Sequence, residues 1–181
     1  MEAARPLETR VSPRVPAACP NFAQNLLPIF VGMERLGAEE TAEGLLISGI
    51  WEPDLDLAAS LVRDKFGDDV IWTKPSVRYI LEPKLLLEPI LRVEVRAPSD
   101  SLGNVIGDLS SRRGTLLSHA ETAGGFVLSA DVPLAELLGY CTSLHALSQG
   151  RGEAAANFMS YQPAPWLGPD PDEPMSAALR A

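Results

Sequence analysis

The stretch Glu88–Gly114, EPILRVEVRAPSDSLGNVIGDLSSRRG, decides the fold of this 181-residue chain. In its first part, apolar residues at 91, 93, 95 and 97 alternate with charged residues, which predicts a strand with one buried face. In its second part, the apolar residues from Leu102 to Leu109 follow helical spacing. Two arginines and a glycine then close the segment, as is typical of a helix C-terminus. A strand followed directly by an amphipathic helix is therefore predicted.

The residues after Gly114 extend this pattern into a complete module. Two β-type runs, 115–121 and 126–132, flank the turn sequence TAGG and predict a hairpin. Pro133 opens a second helix, whose apolar residues at 134, 137, 138, 141 and 144 share one face until SQGRG breaks it. A final strand is predicted over 154–161. The order β-α-β-β-α-β is the split βαβ, or ferredoxin-like, plan, in which two helices cover one face of a four-stranded antiparallel sheet.

The first half of the chain repeats this order less clearly. Strands are predicted over 7–12, 39–43, 45–49 and 70–81, and helices over 22–36 and 53–66. The strand over 39–43 is the weakest of these, because its residues are charged or small. Pro28 costs about 3 kcal/mol in a helix interior, so the first helix is either kinked there or begins near Asn25.

These patterns predict an α+β protein with two ferredoxin-like domains. The first domain covers residues 1–81 and the second covers 90–162, with a linker over 82–89. Residues 163–181 are rich in proline and aspartate and are expected to be disordered.

Composition limits the classes of function. The net charge of −9 means that any contact with RNA has to come from a local basic patch. Cys19 and Cys141 are too few and too far apart for a disulfide framework or a zinc site, which favours a reducing, cytoplasmic compartment. No apolar run of about 18 residues occurs, so no membrane span is expected.

The sequence also carries no motif for catalysis. It contains no G-x-x-x-x-G-K-[ST] loop for nucleotide phosphates and no G-x-S-x-G nucleophile turn. His119 and His145 stand at positions typical of ordinary surface residues, and the acidic pairs fit solvated loops and helix starts. We therefore expect a protein without catalytic residues, metal ligands or a cofactor.

Several segments resemble a known family of translation factors. EPILRVEVRAPSDSLGNVIGDLSSRRG, VPLAELLGY and SQGRG look closely like the C-terminal module, domain V, of bacterial elongation factor G, in order and spacing from Glu88 to Gln162. LLISGIWEPDLDLAASLVRDKFG and KPSVRYI are similar to domain III of the same translational GTPases. There the family has a GMGELHL type of segment before the helix. This chain departs from that segment at Ile50, Trp51, Pro53 and Asp54.

The resemblance covers domains III and V only, and leaves out the GTPase domain, domain II and domain IV. The chain is therefore a separately encoded remnant or paralogue, a shortened version, or a fragment of a larger protein. The family's domain V approaches large-subunit rRNA near the GTPase-associated and sarcin-ricin regions, and its domain III couples the GTPase to the small subunit. The resemblance thus implies a noncatalytic ribosome-docking function, with rRNA and ribosomal protein as partners. The alternative is a protein-interaction or oligomerisation module that has lost the GTPase and ribosome binding, with a partner protein or a GTPase supplied in trans.

Candidate contact residues lie at two glycine-flanked basic sites. Arg112, Arg113 and Arg151 are the candidate phosphate ligands, although the first two also suit a solvated helix end. Gln149 either caps the preceding helix or contacts RNA. Three glycines are predicted to be structural: Gly114, Gly150 and Gly152. If the three arginines converge on one edge, they would contact about two or three phosphates.

Overall fold

The computed structural model describes residues 4–15, 19–83 and 85–165. These residues form an α+β fold with two ferredoxin-like halves, each consisting of an antiparallel sheet with helices. Within the described ranges, the helices are all too short or too polar to cross a membrane.

The first sheet is built from the N-terminal half of the chain. Its strands are β1 (Leu7–Pro13), β2 (Leu36–Thr41), β3 (Gly44–Gly49), β4 (Val70–Trp72) and β5 (Ser76–Val77). Its helices are α1 (Phe22–Phe30) and α2 (Glu52–Phe66). The strand order is β2-β3-β1-β4, and β5 also pairs with β1. Along the chain, β1, α1, β2, β3, α2 and β4 follow the predicted β-α-β-β-α-β order of a ferredoxin-like module.

The second sheet has the same arrangement. Its strands are β6 (Ile80–Glu82), β7 (Leu85–Ala97), β8 (Thr115–Thr122), β9 (Gly125–Pro133) and β10 (Glu153–Pro163). Its helices are α3 (Leu102–Ser111), α4 (Leu134–Leu137) and α5 (Tyr140–Leu147). The order is β10-β7-β9-β8, with β6 paired to β7. The strand and helix predicted from Glu88–Gly114 are β7 and α3.

Strand β7 shows how the alternating sequence sets the register. Val93 pairs with Ala130 and Val95 pairs with Leu128 across the ladder to β9. All four side chains are buried. Directly opposed residues point to the same face of a sheet, so the apolar positions of β7 and β9 together form the face that the helices cover.

The first helix is shorter than predicted. It begins at Phe22 and ends at Phe30 rather than at residue 36, so Pro28 lies in its interior. Gly32 has φ +82°, a backbone conformation that ends a helix. The weak strand predicted over 39–43 is present as β2 but begins at Leu36, whose buried side chain ties the start of the strand to the core.

The predicted strand over 70–81 is three short strands, and the last of them belongs to the other sheet. β6 pairs with β7 through the register Ile80↔Leu87 and Leu81↔Leu86. The predicted linker 82–89 is therefore mostly strand, because β7 begins at Leu85 and its first residues pair with β6 and β10. The predicted tail begins inside β10 at residue 163, and residues 166–181 lie outside the described residues.

The single helix predicted after Pro133 is divided into α4 and α5. Gly139 has φ +75°, a left-handed conformation that glycine adopts without steric cost and that interrupts the helix. Leu138, predicted on the apolar face, is 37% exposed. The spacing of the apolar residues did not reveal this break, because the apolar residues on both sides of Gly139 keep helical spacing.

Candidate functional site

Arg112 is a structural residue at the end of α3. Its Nε donates to Asp108 Oδ2 at 2.8 Å, its Nη1 to the Glu136 carbonyl at 2.6 Å, and its Nη2 to Ser143 Oγ at 2.8 Å. The guanidinium also lies over the Tyr140 ring, 5.4 Å from the ring centroid. These contacts join α3 to the α4–α5 region and occupy the donors that a phosphate would need.

Arg113 is also held by protein groups. It has φ +61°, and its guanidinium pairs with the carboxylates of Glu88 and Glu136. The hydrogen bond to Glu88 is the main reason that the pKa of Arg113 is raised. The left-handed residue after α3 is thus Arg113. Gly114 is required for a different reason: a Cβ there would lie 2.5 Å from the Leu109 carbonyl oxygen.

Arg151 lies in the loop between α5 and β10. Its Nη2 donates to Asp100 Oδ2 at 2.9 Å, and its Nε donates to the Ser148 carbonyl at 3.3 Å. Its side chain is 47% exposed, against 18% for Arg112. Of the three arginines, Arg151 is therefore the most accessible to a partner.

Gln149 stands in the same loop with φ +55°. Its side chain is exposed and makes no hydrogen bond to any described residue. Ser148, and not Gln149, caps the end of α5. Its Oγ donates to the Leu144 carbonyl at 2.6 Å and accepts the Gly152 N–H at 2.8 Å. The Gln149 amide is thus available to a partner.

The two glycines of the loop allow its close turns. Gly150 has φ +77°, and its N–H donates to the His145 carbonyl at 2.7 Å. A Cβ on Gly152 would lie 2.7 Å from Ser148 Oγ. A side chain at either position would strain the backbone around Arg151.

The three arginines do not converge. Arg151 contacts Asp100, in the 3-10 turn before α3, whereas Arg112 and Arg113 follow the last residue of α3. A ten-residue helix is about 15 Å long, so the two basic sites lie at opposite ends of α3. The hypothesis of one basic corner is therefore wrong in its geometry.

Charge around both sites is balanced by carboxylates. Arg151 lines a groove with Arg96 and Gly125, and both arginines are paired there, with Asp100 and Glu94 respectively. Glu88, the partner of Arg113, was missed by sequence reasoning, because that carboxylate precedes an apolar run and belongs to the segment predicted as linker. In the described ranges, no group of three or more His, Cys, Asp or Glu side chains is placed to hold a metal ion.

Comparison with known proteins shows a likeness in the second half of the chain. A family model described as Elongation factor G C-terminus matches residues 85–166. The match covers β7 to β10 and therefore includes both basic sites.

A solved structure extends the likeness to both sheets. The crystal structure of a protein from Thermus thermophilus superposes with a TM-score of 0.63 at 18% sequence identity. The match covers 91% of this chain and 42% of that protein, so this chain spans less than half of its length. The likeness shows a shared fold across both halves, and residues 85–166 resemble the C-terminus of elongation factor G.

Proposed function

We propose that this protein is a noncatalytic, cytoplasmic ribosome-docking protein or part of one. The observation that carries the proposal is the match of residues 85–166 to the C-terminus of elongation factor G. The partners that this family implies are large-subunit rRNA near the GTPase-associated region and, for the first half, ribosomal protein of the small subunit. A GTPase supplied in trans fits the same proposal.

The loop Ser148–Gly152 is the docking site that the geometry favours. Gln149 offers an amide without a described protein partner. Arg151 offers a half-exposed guanidinium that is paired with one carboxylate, Asp100, among the described residues. Arg112 and Arg113 are enclosed in contacts that hold the fold, so they are no longer candidates of equal weight. Phosphate contact through one arginine suits an acidic protein that has no long-range attraction to RNA.

Cosedimentation with ribosomes and with isolated subunits, at low and moderate salt, tests this function. We expect binding of the wild type at low salt. The double variant Gln149→Ala/Arg151→Ala should bind more weakly, with the salt slope reduced by about one unit for the lost phosphate contact. Arg63→Ala is the matched control, because Arg63 is an exposed arginine in the first half, paired at 3.6 Å with Asp68.

Two outcomes would contradict the proposal at different levels. Absence of the wild type from every ribosomal pellet at low salt would remove ribosome docking altogether. Equal binding by the double variant and by the Arg63→Ala control would move the contact away from the α5–β10 loop while leaving ribosome docking in place.

A second function, oligomerisation, is favoured by an exposed apolar hairpin. Leu81 is 66% exposed and Ile80 and Leu85 are each 39% exposed, all in the β6–β7 hairpin. Exposed apolar residues close together commonly mark protein interfaces. Sedimentation equilibrium tests this function: a concentration-dependent dimer that is lost in Leu81→Asp supports it, and a monomer at all concentrations contradicts it.

A further inference from the structure

Arg35 connects the two halves of the molecule. It lies immediately before β2, and it forms a two-pronged ion pair with Asp54, Nε to Oδ1 at 2.8 Å and Nη2 to Oδ2 at 3.1 Å. The same guanidinium reaches β10 of the other sheet, where Nη2 donates to the Ala156 carbonyl at 2.8 Å and Nη1 donates to Asn157 Oδ1 at 3.0 Å. One side chain thus binds α2 of the first half and β10 of the second half.

Asp54 holds this guanidinium in a fixed orientation. Its side chain is 10% exposed, and Oδ2 also accepts the backbone N–H groups of Ile50 at 3.1 Å and Trp51 at 3.2 Å. These bonds satisfy free N–H groups at the start of α2. A carboxylate that is fixed by its own helix positions Arg35 more firmly than a mobile surface carboxylate would.

Two other contacts join the halves at separate places. The Gly139 N–H, between α4 and α5, donates to Glu52 Oε2 at 2.6 Å. The Tyr161 hydroxyl, near the end of β10, donates to the Arg78 carbonyl at 3.2 Å. Contacts at three places along the second half restrict its rotation more than one ion pair alone.

Apolar burial accompanies these polar contacts. Ile50 is 7% exposed and Trp51 is 5% exposed, and both belong to one contiguous apolar core that includes residues of both halves. β10 is the outer strand of its sheet, so its free side is open to cover by another part of the protein. The first half supplies that cover at Arg35.

We propose that Arg35 and the segment Ile50–Asp54 form an interdomain lock, which holds the two sheets in one fixed orientation. The lock gives a role to three of the residues at which this chain departs from the GMGELHL type of segment. Asp54 orients the Arg35 guanidinium that binds β10, and Ile50 and Trp51 are buried and donate their N–H groups to Asp54. The lock is independent of ribosome docking, because its contacts lie inside the chain.

Pulsed electron paramagnetic resonance on the full chain tests the lock. Spin labels are placed at Ser60→Cys in α2 and Ala120→Cys in β8, both exposed, after Cys19→Ser and Cys141→Ala remove the native thiols. The unmodified lock should give one narrow distance population between the sheets. Arg35→Gln should abolish that single population and give a broad distribution, because it removes the charged bonds to Asp54 and β10.

Arg92→Gln is the matched control. Arg92 forms an equivalent two-pronged pair with Asp131 at 2.8 and 2.9 Å and has similar exposure, 43% against 41%, but both partners lie within one sheet. We expect the Arg92→Gln distribution to stay narrow. A narrow distribution in Arg35→Gln, or equal broadening in both variants, would overturn the lock.

A second variant covers the case in which Arg35→Gln does not fold. Glu52→Ala/Asn157→Ala removes two contacts between the halves and leaves the Arg35–Asp54 pair intact. Circular dichroism should show a folded protein. Its distance distribution should be wider than that of Arg92→Gln, because the Asn157 and Gly139 contacts between the halves are lost while the Arg35 bond to the Ala156 carbonyl remains. A distribution no wider than that of Arg92→Gln would overturn the lock.

Discussion

Glu88 of β7 and Arg113 at the end of α3 form an ion pair whose carboxylate is almost fully enclosed. The Glu88 side chain is 5% exposed and the Arg113 side chain is 36% exposed. A second carboxylate, Glu136, lies 3.7 Å from Arg113 Nη1. The arginine that the sequence offered as a phosphate ligand thus compensates a buried negative charge within the fold.

Loss of Arg113 should destabilise the protein. Arg113→Ala leaves Glu88 buried without its cation, which costs about 3–5 kcal/mol in fully buried pairs. Because Arg113 is about one third exposed, we expect a smaller loss, about 2 kcal/mol, in the free energy of unfolding measured with urea. Arg96→Ala should change that free energy by less than about 0.5 kcal/mol, since Arg96 and its partner Glu94 are both exposed. Equal free energies of unfolding for the two variants would show that Arg113 does not stabilise the buried charge of Glu88.

Two glycines near α3 should respond in opposite directions to alanine. A Cβ on Gly107, inside the helix, would meet no atom within 4 Å. Gly107→Ala should therefore raise the free energy of unfolding by roughly 0.5–1 kcal/mol, through helix propensity. Gly114→Ala should lower it by more than about 1 kcal/mol, because the new Cβ would lie 2.5 Å from a backbone oxygen that has little freedom to move. Thermal unfolding of both variants checks this; shifts of the same sign would contradict it.

The second half of the fold was predicted well, because the spacing of its apolar residues matches the residues that are buried in its strands and helices. Leu91, Val93 and Val95 alternate on a strand that is covered on one face, and Val105 and Leu109 lie on the buried stripe of α3. The first half was predicted with less accuracy, because its short strands depend on pairing with distant residues. β4 illustrates this: Trp72 pairs with Val11 of β1, which is far away in the chain, and no periodic pattern marks that pairing.

The accessibility of the candidate site residues was harder to predict, because the sequence around a charged residue does not show which residue it will pair with. Arg112 and Arg151 both stand next to turns, yet one is enclosed by three structural contacts and the other is half-exposed. The partners Asp108 and Asp100 are ordinary acidic residues in the sequence. Tertiary packing decides which guanidinium remains available, and a single sequence does not encode that choice in its local pattern.

Guanine nucleotides should not bind to this chain alone. The sequence contains no phosphate-binding loop, and without its backbone N–H groups and lysine the β and γ phosphates have no cradle. Calorimetric titration with GTP and with GDP should show no heat of binding. Micromolar affinity for either nucleotide, in protein freed of contaminating GTPases, would contradict this prediction.

The burial of Tyr140 makes the stability of the fold depend on pH in the alkaline range. The side chain is fully buried, and its hydroxyl has no hydrogen-bond partner among the described residues. Burial is the main reason that its pKa is raised above the ordinary value of 10, and the charge of Asp108 raises it further, while Arg112 opposes the shift. The folded state therefore keeps the phenol neutral at a pH where the unfolded state ionises it.

The protein should lose stability as the pH rises above 10, and Tyr140→Phe should reduce that loss. A group whose pKa is raised in the folded state contributes to the free energy of unfolding. That contribution is fully present below the pKa of the group in the unfolded state, and it is lost as the pH rises toward the pKa in the folded state. For one tyrosine the slope is at most about 1.4 kcal/mol per pH unit, and Tyr79 and Tyr161, whose pKa values are also raised by burial, contribute with the same sign. Urea unfolding between about pH 9 and pH 12 checks this.

Near neutral pH, Tyr140→Phe should leave the free energy of unfolding unchanged or slightly raised, because the hydroxyl that it removes is buried without a described partner. Identical pH profiles for the two proteins would show that the Tyr140 hydroxyl is hydrated or hydrogen-bonded in the folded state.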